Sequence, residues 1–358
     1  MATEARTQPL PTVDLRRLPI APVLGGLLVA LLLVWLAINL VKTPAEFFTI
    51  FLIGLTTGAV YALIALGYTL VYGILELINF AHGDVFMIGG MITATFVVNI
   101  FGITGDEGAF TFWPVVFLSL FVSMAACGVL NASIERVAYR PLRNAPRLAP
   151  LITAIGMSFI LQNVALAWKG AEYVSVADEN GRTLLPRGQV FAIAGVTYTW
   201  NKLIVVLITI PVLAALMWLV LKTRQGKAMR ATAQDMDAAA MMGIDVNRTI
   251  SFTFLIAGAL AGAAGLLYAL YFTNLRFDLG GVQLGLIAFT AAVLGGIGNL
   301  PGAVLGALVI GFIQAFNEGL EWHAPGSDWT QSIVFTILIL ILVFRPEGLL
   351  GERTPEGG

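Results

Sequence analysis

Nine stretches of at least sixteen residues carry no Asp, Glu, Lys or Arg: 18–41, 47–75, 85–105, 109–134, 148–168, 203–221, 249–275, 279–317 and 329–344. A helix needs roughly 20 apolar residues to cross about 30 Å of hydrocarbon, and most of these runs meet that length. The run at 329–344 spans only with its flanks. Charged residues make up 11% of the chain, against about 25% in an ordinary soluble domain. The pattern predicts an all-α, polytopic helical membrane protein.

The run at 279–317 would be about 58 Å long as one helix, near twice what a bilayer needs. It contains GGIGNLPG (295–302), where Pro301 lacks an amide hydrogen and Gly296 and Gly298 weaken the helix. It therefore reads as a broken hairpin pair turning near Asn299. That gives about ten membrane-crossing segments with both ends on one side. Fourteen of the twenty Lys and Arg residues then fall on the side of the N-terminus, so the positive-inside rule predicts cytoplasmic termini.

On this scheme, residues 1–17 are a cytoplasmic tail, 18–350 a single transmembrane domain and 351–358 a C-terminal tail. The first run follows Arg16 and Arg17, as a signal peptide would. Its 24 uninterrupted residues, with no small-x-small cleavage pattern after them, favour a retained anchor helix. Turn signals at Asn180–Gly181 and Pro186 mark an outer loop over 169–202. Cys127 is the single cysteine, so no intrachain disulfide forms, and zinc-site spacing is absent. It reads as a small packing residue, and no metal site is expected.

The inner segment 222–248 has a pattern of its own. Gly226 and Gly243 bracket an Ala- and Met-rich stretch that predicts a short amphipathic helix. Met229, Ala233, Met236 and Ala240 share one face, and Lys227, Arg230, Gln234 and Asp237 the other. Spacing leaves two readings open. The helix rests on lipid headgroups, against which Asp235 and Asp237 argue, or it docks into a groove on a cytoplasmic partner.

No GxxxxGK[ST] motif is present, and GGIGNLPG follows no strand, so it reads as a tight turn rather than a phosphate loop. GxxxG spacings at Gly54/Gly58, Gly258/Gly262, Gly281/Gly285 and Gly302/Gly306 predict helices in close backbone contact. No Ser-His-Asp set, HExxH or paired intramembrane carboxylates occur. His323 reads as a solvated loop residue, and no catalytic residue is expected. Ionisable groups at membrane depth usually mark ion or proton pathways, and only the Glu76–Asp84 segment offers them. There Asn79, His82, Gly83 and Asp84 interrupt the apolar pattern. One reading makes Asp84 a helix cap with His82 donating to a carbonyl freed by the turn. The other is a discontinuous helix lining a substrate path.

Four blocks carry a resemblance: YALIALGYTLVYGILELINFAHGDVFMIGG (61–90), SIERVAYRPLRNAPRLAPLITAIGMSFILQN (133–163), GKAMRATAQDMDAAAMMGI (226–244) and AFTAAVLGGIGNLPGAVLGALVIG (288–311). In this order they resemble the LivH-type permeases of branched-chain amino acid ABC importers, over about residues 46–350. The N-terminal extension and Glu76 stand outside that pattern. The resemblance implies an ABC importer permease fold in a bacterial-type inner membrane. It implies a second, LivM-like permease, two cytoplasmic ATPases that use ATP-Mg, and a periplasmic or lipid-tethered binding protein. The chain itself holds no cofactor, and neither a nucleic-acid partner nor an enzymatic activity is implied.

Residues 226–243, with Gly226, Lys227, Arg230, Ala233, Asp235 and Gly243, become the ATPase-coupling segment. Asn79, His82, Gly83, Asp84, Gly296, Gly298, Asn299 and Pro301 become helix breaks along the substrate path. Branched-chain amino acids are the implied substrates, moved by alternating access. Urea, short amides or other amino acids are the alternative within the class. An ion-coupled secondary carrier or channel is the alternative outside it.

Overall fold

The computed structural model describes residues 20–351, apart from 106, 144, 147 and 346. The tail 1–17 and the C-terminal tail past residue 351 lie outside the described residues. Residues up to Pro44 form one unit and the rest of the chain another. The first is represented by α1 (Ile20–Lys42), an apolar helix of 23 residues.

The second unit is built from α2 (Pro44–Leu75), α3 (Ala81–Ala94), α4 (Ala109–Ile134), α5 (Leu148–Lys169), α6 (Trp200–Lys222), α7 (Arg224–Gln234), α8 (Met236–Met241), α9 (Val246–Phe272), α10 (Leu286–Gly295), α11 (Leu300–Gly319) and α12 (Ser327–Phe344). Among the described residues, eight helical stretches are long and apolar enough to cross a membrane, and Ala30–Lys42 and Leu279–Gly295 are shorter apolar ones. Each of the ten segments read from the sequence therefore has a helical counterpart. Among the described residues, strand structure is confined to four short segments. In the loop before α6, Asp178 accepts from the amides of Asn180 (3.0 Å) and Arg182 (2.7 Å) and pairs with Arg187. The Arg182 amide above all holds the Asp178 carboxyl below its ordinary range, as expected for an anion clasped by donors at a turn.

Close packing follows the small residues. A Cβ on Gly258 or Gly262 of α9 would strike the Cys127 and Ser123 carbonyls of α4, and one on Gly311 of α11 would strike the backbone of Gly58 on α2. Without a hydrophobic drive between helices in lipid, such backbone proximity supplies the dispersion contacts that hold a bundle. Cys127 is buried there, its thiol donating to the Val85 carbonyl at 3.4 Å.

Two helices, α2 and α9, end alike. Each stops at a residue in the left-handed region, Glu76 (φ 52°) and Thr273 (φ 66°), and the chain doubles back into the bundle. After Glu76 it climbs until His82 lies against Gly67, eight residues before the end of α2, or about 12 Å along its axis. After Thr273 it runs through the buried Leu275 and enters a wide, π-helical turn over Leu279–Gly285 before α10. The member 279–295 of the broken pair thus begins inside the bundle.

The predicted turn near Asn299 is present. Gly296 (φ 105°) and Gly298 (φ 92°) adopt backbone shapes that L side chains avoid. Asn299 caps α11 by accepting from the Gly302 amide at 2.9 Å, and Pro301 falls in the helix's first turn. The chain after α12 docks on this turn, with Leu349 and Leu350 donating to the Leu294 and Gly295 carbonyls and Asn299 donating to Leu350.

Replacing Gly258 by Ala should lower stability by about 1–3 kcal/mol, as overpacking does, seen as an earlier thermal midpoint in detergent. Gly156→Ala, with open space around its Cα, is the matched control and should leave the midpoint unchanged or raise it.

Candidate functional site

The two doubled-back segments meet. A Cβ on Gly83 would collide with the Gly280 carbonyl, and one on Gly280 with the Gly83 carbonyl and the Asp84 Cα. The start of α3 and the start of the π-helical turn thus touch backbone to backbone. The first reading of Asp84 as a cap does not hold. The residue at the N-cap position is Phe80, with no side-chain cap bond, and Asp84 lies inside the first turn. Its carboxylate reaches across to α5, where Ser158 donates to one oxygen and Gln162 Nε2 to the other at 3.1 Å. Gln162 also donates to the Ser158 hydroxyl at 3.2 Å. Gly281 lies beside the Gln162 amide, where any Cβ would collide with it.

His82 is fully buried, and neither ring nitrogen has a hydrogen-bond partner among the described residues. The Ile64 backbone is nearby but outside hydrogen-bond geometry, so the expected bond to a freed carbonyl is not formed. The imidazole instead stands edge-on to Tyr68, with ring centroids 4.8 Å apart, an arrangement aromatic rings favour.

Asn79 contributes differently again. Its backbone carbonyl accepts from the His82 amide at 3.1 Å, closing the turn. Its side chain accepts from Tyr139 at 2.8 Å and donates to Asn131 at 3.4 Å, while Asn131 donates to the Phe254 carbonyl at 2.7 Å. This chain ties the break after α2 to α4 and α9.

Glu135 was absent from the sequence-based expectation and is fully buried. It pairs with Arg143 and accepts from Ser251 at 2.5 Å. Buried ionisable groups are therefore not confined to the Glu76–Asp84 segment. Ser158 and Gln162 were missed as well, although two polar residues four apart on an apolar helix are a readable signal. Of the predicted path residues, 79–84 gather at the meeting point. Gly296, Gly298, Asn299 and Pro301 form the turn between α10 and α11.

The inner segment is two helices rather than one. Asp235 is extended (φ −159°, ψ 113°) and caps α8 by accepting from Asp237 and Ala238, both at 2.9 Å. This break dissolves the predicted apolar stripe: Met229 is buried against the bundle, while Ala233, Met236 and Ala240 are exposed. A side chain at Gly226 would clash with the carbonyls of Leu219 and Val220, and Arg230 donates to that same Val220 carbonyl. Lys227 is exposed, and Gly243 (φ 83°) forms the turn before α9.

Multiple apolar helices, with chain doubling back into the bundle after two of them, define a polytopic helical membrane protein. The chain belongs to the family described as branched-chain amino acid transport system / permease component, which matches residues 50–343. It is 40% identical over 307 residues to the high-affinity branched-chain amino acid transport system permease protein BraD of Pseudomonas aeruginosa, covering 85% of this chain and 95% of the relative. The LivH permease protein of Escherichia coli K12 is 37% identical over 304 residues, with the same coverage. A probable LivH of Methanocaldococcus jannaschii is 28% identical over 296 residues, 81% and 88% of the two chains. No solved structure matches the chain.

The Asp84 cluster is testable by a double-mutant cycle. Ser158→Ala should cost about 1–3 kcal/mol in the native chain and little in an Asp84→Ala background. Additive losses in thermal stability would show that the two side chains act separately.

Proposed function

We propose that this chain is a permease subunit of an ATP-driven ABC importer that moves branched-chain amino acids across the inner membrane, with both termini cytoplasmic. The observation that carries the reading is the exposed face of the inner segment. Ala233, Met236, Ala240, Met241 and Met242 all face outward, the last two more than four-fifths exposed. Small and flexible apolar side chains of this kind suit a groove on another protein. Gly226 and Arg230 clamp α7 onto the end of α6, so a push on this face reaches a membrane span directly.

In this mechanism two cytoplasmic ATPases bind ATP-Mg and close, moving α7 and α8. The movement rocks the bundle between inward- and outward-open states, and hydrolysis resets it. A second, LivM-like permease completes the pathway, and a periplasmic or lipid-tethered protein delivers the substrate. The outer face of α5 borders that pathway. It exposes Phe159, Ile160 and Val164 beside Ser158 and Gln162, giving an apolar route with one polar cluster behind it. Apolar side chains of leucine, isoleucine or valine pass such a surface with little desolvation of the protein, and selection falls largely to the binding protein.

Arg230→Glu with Ala233→Glu should abolish uptake while the chain still reaches the membrane. Because Arg230 also holds the α6 carbonyl end, Ala233→Glu with Met241→Glu is the cleaner pair. Normal leucine uptake by that second pair would sink the coupling assignment. Reconstitution with and without the ATPases separates the classes: a carrier working through His82 and Asp84 moves substrate alone on an ion gradient, whereas the importer requires ATP.

A further inference from the structure

A groove of about 530 Å³ lies where the end of α4 and its continuation meet the start of α9. Its walls are Ala132, Phe252 and Leu255 on the membrane side, and Arg136, Arg140 and Arg248 towards the helix ends. Arg248 is paired with Asp245 at 3.0 Å. Arg136 and Arg140 are exposed and have no carboxylate partner among the described residues. Asp245 is the single acidic residue in the groove lining. Nearby Glu135 is buried and already neutralised by Arg143, which also donates to Asn247 at 2.6 Å.

The placement is specific. The span Ala109–Leu142 ends at these arginines, and the span Val246–Phe272 begins at them, so the cations sit at the edge of the apolar zone. Val129, Val137 and Leu255 are exposed on the adjoining surface. We propose that this groove binds an anionic phospholipid. The phosphodiester would lie on Arg136 and Arg140, whose guanidinium forks match phosphate oxygens. Its acyl chains would run over Ala132, Phe252 and Leu255. Basic pockets between spans at the membrane surface take anionic headgroups for this reason.

The test uses the full chain, extracted in detergent with its assembly, and native mass spectrometry with phosphatidylglycerol and phosphatidylcholine offered together. Phosphatidylglycerol should be retained in preference. Arg136→Gln/Arg140→Gln should reduce that retention about 30-fold, the loss expected from two surface cations. Arg345→Gln controls for general charge and should not change it. Arg136→Lys/Arg140→Lys, which keeps the charge and loses the fork, should fall between the native chain and the glutamine pair, which covers the case in which the glutamine pair is poorly folded. Equal retention of both lipids by the native chain would overturn the proposal. So would displacement of the lipid by millimolar inorganic phosphate, which would make this a free-phosphate site. Loss of ATPase co-purification with lipid retention intact would assign the arginines to a protein partner instead.

Discussion

Backbone contact between Gly83 and Gly280 sets the terms for everything around it. Irregular chain at membrane depth is tolerated only where protein buries it or water reaches it. Here two helix starts, arriving from opposite ends of the sequence, bury each other's peptide groups. Neither segment has room for a side chain at the contact, and the Gln162 amide needs the same absence at Gly281. His82 fills the angle between α2 and α3 at Gly67, again against a glycine. A polar-looking island in the sequence is thus a place of close backbone packing.

That contact explains which parts of the site were legible. The apolar runs defined the helices because lipid demands length, and length is countable. The turn at Asn299 was readable because Asn, Pro and Gly each meet a local backbone requirement, all within one stretch of chain. Asp84 misled because a carboxylate near a helix start usually caps it, and only the tertiary approach of α5 supplies the competing donors. Ser158 and Gln162 lie 74 and 78 residues away from it in sequence, beyond any local pattern. The inner segment failed for the opposite reason: its periodicity was real but short. Asp235, as a strong cap, ended one helix and began another within a stripe that looked continuous.

The break at Asp235 also divides labour. Helix α7 belongs to the bundle, with Met229 inward and Arg230 on the α6 carbonyl end. Helix α8 and the residues after it present methionine and alanine outward. A single long helix would have to bury one face and offer another at fixed angles. Two short helices let the inner one stay packed while the outer one is oriented separately by its own cap. In the proposed coupling role, the packed helix would transmit force and the adaptable side chains would meet the partner.

The proposed transport cycle requires a bundle with few charges to change state. Asp84 sits in the first turn of α3 and close to the start of the 279–285 turn, and helix starts carry partial positive charge. Its two oxygens are held by neutral donors from α5, so no buried cation has to be desolvated to balance it. Pulling α5 away would strip those donors while leaving the helix starts in place. A shift of α3 or the π-helical turn would instead break the glycine contact, where close packing leaves little intermediate ground. Movement of α5 would keep the glycine contact intact at the cost of the Asp84 hydrogen bonds, and α5 carries exposed apolar side chains such as Phe159 and Ile160 on its outer face.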